Sequence, residues 1–219
     1  MNGEEFDDLV HFFDSMARTS WLSAVHDTIK EETGSWEGKK VLDVGCGTGR
    51  LLLKGAEEAE AVTGVDLSRE MVKSAVQNFF FHDKSKKAEF LIGDACALPV
   101  DNSSFHLALS TCVIFLLPEP ELGLKELHRV LKADGTAAML NPSPKMNQLS
   151  AHQYGKEKGI SGFELTSLLK WANVSTRRHR YSEDELTSLL TSTGFHTIRH
   201  VHVLNGLATI TLAVKSSSL

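Results

Sequence analysis

The stretch Val41-Leu42-Asp43-Val44-Gly45-Cys46-Gly47-Thr48-Gly49 limits what this chain can fold into more than any other. A short apolar pattern, interrupted only by Asp43, runs without a polar linker into a loop with glycine at every second position. Leu51-Leu52-Leu53 then opens a helix. A strand that turns through glycine directly into a helix is the first half of a βαβ unit, whose second strand lies parallel to the first. Alternate glycines also leave no Cβ between the loop backbone and a molecule bound against it.

The chain repeats that alternation. Ala61–Asp66 reads as a second strand ending on an acid, and Ser68 as the N-cap of a helix carrying Met71, Val72, Ala75 and Val76. Glu89–Ile92 reads as a third strand closed by Gly93-Asp94, and Phe105–Val113 as a fourth. Leu124, Leu127 and Leu131 give a helical stripe stopped by Asp134-Gly135. Thr136–Leu140 follows as a fifth strand, halted by Pro142 and Pro144. Near the end, Ser182-x-x-Glu185 is a capping box for a helix through Leu186, Leu189 and Leu190. Thr197–Val203 and Leu207–Val214 flank Asn205-Gly206, a two-residue hairpin signal. The pattern predicts an α/β fold: a Rossmann-like, doubly wound, mostly parallel seven-stranded sheet with right-handed crossovers and a C-terminal antiparallel hairpin. Ahead of it, Phe6, Leu9, Val10 and Phe13 form one helical stripe. Trp21, Val25 and Ile29 mark a second helix ending near Gly34, and the two make an N-terminal helical cover. Pro142 to Tyr181 reads as irregular, with one amphipathic helix through Leu165, Leu168, Leu169 and Ala172.

At 219 residues the chain has the length of one domain. It divides into a cover (1–35), a ligand-binding core (36–141), a substrate lid insert (142–181), and a helix with the terminal hairpin (182–219). Twenty-eight acidic against 23 basic residues leave a net charge of −5, which argues against a nucleic-acid binder needing a basic footprint on phosphates. Cys46, Cys96 and Cys112 show no CxxC spacing, so neither a disulfide framework nor a zinc site is expected. The apolar run Cys112–Leu117 is far short of the ~20 residues of a membrane span. The acidic N-terminus is unlike a secretory signal. A cytoplasmic protein is expected, with its oligomeric state open.

In an open parallel sheet, ligands sit beyond the carboxyl ends of the strands, where the strand order reverses. Asp43, Asp66 and Asp94 all fall on that rim, around the glycine loop. A dinucleotide site calls for G-x-G-x-x-G facing a pyrophosphate. Here the third glycine, Gly49, comes one residue early, with Arg50 after it, and Asp43 would sit against a diphosphate. S-adenosylmethionine (SAM) carries an ammonium, a sulfonium, a ribose and an adenine but no phosphate, and it suits acids on the rim.

On these residues the chain resembles the class I SAM-dependent methyltransferases, of the small-molecule type related to quinone-biosynthesis enzymes. The resemblance rests on Val41–Gly49, Gly64-Val65-Asp66-Leu67-Ser68 with Met71, Gly93-Asp94-Ala95 with Leu98-Pro99, and Leu127–Gly135, in order over about residues 36–140. It implies that Asp43, Gly45, Cys46, Gly47 and Gly49 hold the methionine part of SAM, and that Asp66 accepts from the ribose hydroxyls. Leu67 and Met71 would pack on adenine, Asp94 and Ala95 would meet its amino group and a ring nitrogen, and Ser110 and Thr111 would lie under the methionine tail. Phe12, Phe13, Arg18 and Trp21 resemble the family's cofactor cover. One departure is visible: where the family has Phe-Asp at the start of the fourth strand, this chain has Phe105-His106.

Each acid also has a plainer reading. Asp66 could cap the following helix, Asp94 could serve a turn, and Cys46 is a small loop side chain with no base beside it. His200 and His202 are two ligands at most, too few for a metal site. Arg177-Arg178-His179-Arg180 is a solvated turn or a grip on an acidic substrate. If the acceptor atom is oxygen or nitrogen, a base is needed, and His152 and Tyr154, after the fifth strand, are the candidates. The expected function is methyl transfer from SAM, with S-adenosylhomocysteine (SAH) as product, to a small-molecule acceptor. The alternatives are a non-catalytic SAM-binding module or partner-activating subunit, and a nicotinamide oxidoreductase.

Overall fold

The computed structural model describes residues 3–216. The N-terminal cover comprises α1 (Glu4–Asp7), α2 (Val10–Ala17) and α3 (Ser20–Glu32). The core alternates β1 (Lys40–Val44), α4 (Arg50–Leu53), β2 (Ala61–Asp66), α5 (Arg69–Phe81), β3 (Ala88–Ile92), β4 (Phe105–Thr111), α6 (Pro120–Val130) and β5 (Leu131–Pro142). The helices α7 (Gln148–Lys158), α8 (Gly162–Ser175) and α9 (Glu183–Ser192) precede β6 (Phe195–Val203) and β7 (Ala208–Lys215).

The strands form one sheet in the order β3-β2-β1-β4-β5-β7-β6. β1 to β5 are parallel, and β7 runs antiparallel to both β5 and β6. The order reverses between β1 and β4, so the carboxyl ends of these strands frame a crevice. Alternation along β1 sends Val41 to one face and Leu42 to the other. The first face packs α3, α4, α7 and α8 around Trp21, Ile29, Trp36, Leu52, Leu168 and Trp171. The second packs α6 and α9 through Leu124, Leu127 and Leu190.

The structure departs from the sequence reading at four places. The stripe Phe6–Phe13 is two helices, because Leu9 leaves the helical range (φ −105°, ψ 6°) and faces solvent. The helix of Leu124 and Leu127 ends at Val130, and Leu131 already pairs with Phe105 in β5. The residue expected to stop the helix, Asp134 (φ 59°), instead lies within β5, where β4 carries a register shift between Phe105 and Leu107. The stretch 142–181 holds two helices. The first, α7, buries only Ala151 and Gly155 and has no apolar stripe to reveal it; Asn147 caps it by accepting from the Ser150 N–H. The hairpin is present, but its loop spans residues 204–207, with Leu204, Asn205 and Gly206 all at positive φ and Leu204 buried as a plug.

His106, the departure from the family pattern, accepts the Lys40 N–H on Nδ1 at 2.9 Å and lies 2.9 Å from Lys132 Nζ through Nε2. It thereby ties β1 and β5 to β4. The sequence tail beyond Ser216 lies outside the described residues.

Candidate functional site

The crevice opens into a cavity of about 410 Å³ walled by the glycine loop, the ends of β2, β3 and β4, and helices of the cover. Gly45 enters the loop at φ +74°, where a Cβ would lie 2.1 Å from Val113 Cγ2, so only glycine fits. The Gly45 and Cys46 N–H groups both donate to the Val65 carbonyl, which holds the loop against β2. Gly49 closes it at φ +78° as the N-cap of α4, with Phe79 beneath.

Asp66, at the end of β2, accepts from the Gly47 N–H at 2.8 Å and the Ser68 N–H at 2.9 Å. Burial raises its carboxyl above the usual range, against the pull of those backbone donors. Asp43 is 1% exposed and its Oδ1 has no partner. Burial, with the nearby Asp66 charge second, pushes it up to about 7. A buried carboxyl with an unfilled oxygen costs free energy that a hydrogen-bond donor or cation from a ligand offsets. Asp94 remains exposed and accepts from the Cys96 N–H at 2.8 Å.

The opposite wall comes from the cover. Phe6, Phe13, Met16, Ala17, Leu22 and His26 all line the cavity. Two carboxylates fasten this cover. Asp14 on α2 accepts from Thr48 Oγ1 and Arg50 Nε, each at 2.8 Å, and pairs with Arg18. Asp7 accepts from Ser68 Oγ and the Glu70 N–H at the start of α5. At the base of the cover Glu164 of α8 takes the Ser20 N–H at 2.9 Å, and Trp21 stacks on Trp171 with centroids 5.6 Å apart.

A family profile described as a methyltransferase domain matches residues 42–139. The ubiquinone/menaquinone biosynthesis C-methyltransferase UbiE of Geotalea uraniireducens is 30% identical over 188 residues, 82% of this chain and 80% of that protein. The chain belongs to the class I SAM-dependent methyltransferases. A demethylmenaquinone methyltransferase of Staphylococcus aureus is 27% identical over 197 residues, covering 85% of this chain and 80% of that one. Among solved structures, a SAM-dependent methyltransferase from Aquifex aeolicus superposes with a TM-score of 0.71 at 21% identity, over 95% of this chain and 97% of that one. It shares the fold.

Of the residues that the sequence singled out in this methyltransferase, Asp43, Gly45, Cys46, Gly47, Asp66, Leu67, Met71, Asp94, Ala95 and Thr111 line the cavity together. Gly49, Ser110, Arg18 and Trp21 are not among its lining residues. Gly49 shapes the loop from below, and Ser110 is buried on β4 with its Oγ unpartnered. Arg18 is exposed beside Asp14, and Trp21 donates to the Glu164 carbonyl. His152 is exposed on α7, and Tyr154 packs against the apolar cluster of the first face; neither lines the cavity. Phe12 packs on Phe13 and on Phe163 of α8.

Sequence reasoning missed His26 and Arg50 as cavity residues, and the side-chain bond that Thr48 of the loop makes to the cover. Thr48 and Arg50 sit inside and beside the motif, and their link to Asp14 crosses more than thirty residues of chain with no local signal. His26 has none either: it sits inside an ordinary helical stripe. The Cys46 thiol is raised well above its usual range by burial and by Asp66 and Asp43, so it stays protonated. His202 meets Glu183, and His200 lies between Thr187 and Thr211. Among the described residues no cluster of His, Cys, Asp and Glu suits a metal ion. Arg180 donates to the Met146 carbonyl at 2.9 Å, stitching 180 to the start of α7.

Proposed function

We propose that this methyltransferase moves the methyl group of SAM to a small-molecule acceptor by in-line displacement, with Asp43, Asp66 and Asp94 gripping the donor. The observation that carries this is the acidic rim of the cavity. Asp43 offers an unpartnered carboxyl oxygen beside the loop, as the ammonium of a methionine tail requires. Asp66, already fixed by two backbone N–H groups, accepts from ribose hydroxyls. Leu67 and Met71 sandwich adenine, Asp94 and the Ala95 N–H read its polar edge, and Thr111 lies below the tail.

SAM supplies an activated methyl on a sulfonium. The chain's task is therefore alignment and the exclusion of water, and orientation alone accounts for up to ~7–11 kcal/mol of such a barrier. Phe6, Phe13 and Met16 give the cover's side of the cavity an apolar wall. The negative net charge and the apolar cover support a small acceptor over a nucleic acid. No helix among the described residues is long and apolar enough to cross a membrane.

The test is thermal unfolding with SAH. At ~100 times its dissociation constant a ligand adds ~2.7 kcal/mol, which for a chain of this size is a rise of about 5–10 °C. Asp66→Ala should lose most of that rise. No rise with the native protein defeats the reading. Transfer of labelled methyl from SAM into a metabolite extract separates an enzyme from a binding module.

A further inference from the structure

His26 is a cavity residue with chemistry that the donor does not use, and unlike Thr48 and Arg50 it is not committed to Asp14. It sits mid-way along α3, 5% exposed, and its Nδ1 is sealed from solvent without a hydrogen-bond partner. It lines the cavity with Leu22, one helical turn before it, Met16 and Ala17 from α2, and Leu51 from α4. Burial first, then the Lys54 charge, lower its pKa to about 4 against the opposing pull of Asp27. The imidazole is therefore neutral at physiological pH, with one nitrogen that donates and one that accepts.

Nδ1 has no surface open to the cavity, so Nε2, which is not sealed, is the nitrogen that can meet a molecule there, and a largely buried imidazole nitrogen is costly to leave unpaired. No side chain of the cover answers it. The acids of the rim belong to β1, β2 and the turn after β3, whereas His26 belongs to the cover, on the wall opposite the carboxylates.

We propose that His26 is the residue that recognises the methyl acceptor, by hydrogen-bonding an O–H or N–H group on a molecule whose remaining surface is apolar. This rests on the methyl-transfer reading above. The cover thereby selects among acceptors of similar size by their polar hydrogen. Replacing that contact leaves a buried nitrogen unpaired, which is how a site built for a hydroxyl rejects the analogue lacking it.

The experiment uses the full chain and two probes of similar size, phenol and toluene, of which only phenol carries an O–H. SAH affinity is measured by calorimetry for the native protein, His26→Phe and His26→Gln. Phenol and toluene are then titrated into each SAH-saturated protein, with the histidine ring nitrogens followed by NMR. Phenol is expected to bind the native protein about fivefold more tightly than toluene, the worth of one neutral hydrogen bond. It should also shift the His26 ring nitrogens where toluene does not. His26→Phe should lose the preference and keep SAH affinity within about twofold, and His26→Gln, which retains an amide there, should keep part of the preference. Equal binding of the two probes, an unmoved His26 signal, or a tenfold loss of SAH affinity in both variants overturns the assignment; the last would give His26 to the donor. Failure of SAH to bind the native protein defeats the methyl-transfer reading itself, and this assignment with it.

Discussion

A carboxyl sealed inside a fold with one oxygen unpartnered is least costly when it keeps its proton, and Asp43 is in that position. The folded chain holds its proton up to about pH 7, against an ordinary value of 3.8. The stability contributed by this group is therefore complete below the ordinary value and declines as pH rises through 7. Asp43→Asn keeps the shape and removes the charge. Thermal unfolding of the ligand-free variant should show a larger gain over the native chain at pH 8 than at pH 5. An equal gain at both would mean that Asp43 is not the source of the slope. Two loop glycines give a second contrast. Gly45→Ala drives a Cβ into Val113 at positive φ, adding an overpacking cost to the backbone one, and should cost about 2–5 kcal/mol in chemical denaturation. Gly47→Ala, also at positive φ but with nothing within 4 Å of the new Cβ, should cost about 1–2 kcal/mol. Its larger effect should be on SAH affinity, because the proposed function puts the donor in the open space beside it.

The helix α2 has little apolar burial of its own; only Met16 is fully buried. Its place over the cavity depends on Asp14 and its bonds to Thr48 and Arg50. Those donors hold the Asp14 carboxyl below its ordinary value despite its partial burial. The stability from this pair is accordingly present above the ordinary carboxylate range and is lost as pH falls through the lowered value. Asp14→Asn should speed SAH release about tenfold in stopped-flow displacement, since a half-buried charged bond is worth ~1.5–3 kcal/mol. An unchanged release rate would mean that the cover stays seated without it. The same elements show why some of the fold was legible and some was not. β1, β2 and the glycine loop announce themselves because burial and turn geometry both demand particular residues within one short stretch. The hairpin of β6 and β7 was legible for a similar reason, through Asn205-Gly206. α7 was not, because its sequence Gln148–Lys158 carries no stripe and it packs on α8 through Gly155, against Leu165. Likewise the rim of the candidate site could be read from chain order, whereas His26 and the Asp14 bonds join distant segments and exist only once the chain is folded.

Taken whole, the molecule builds its cavity from two regions far apart in sequence. Residues 43–118 give the rim and floor, and residues 6–26 give the cover. That cover is moored at its far end by Glu164 and Trp171, which belong to α8 and come late in the chain. Arg18, in the two-residue link between α2 and α3, keeps an exposed side chain over this junction. Its peptide bond sits between two docked helices, so trypsin must wait for the strap to lift before it can cut there. If the donor enters beneath this cover as proposed, saturating the protein with SAH should slow that cut, and an unchanged rate would mean that the cover does not hold the donor.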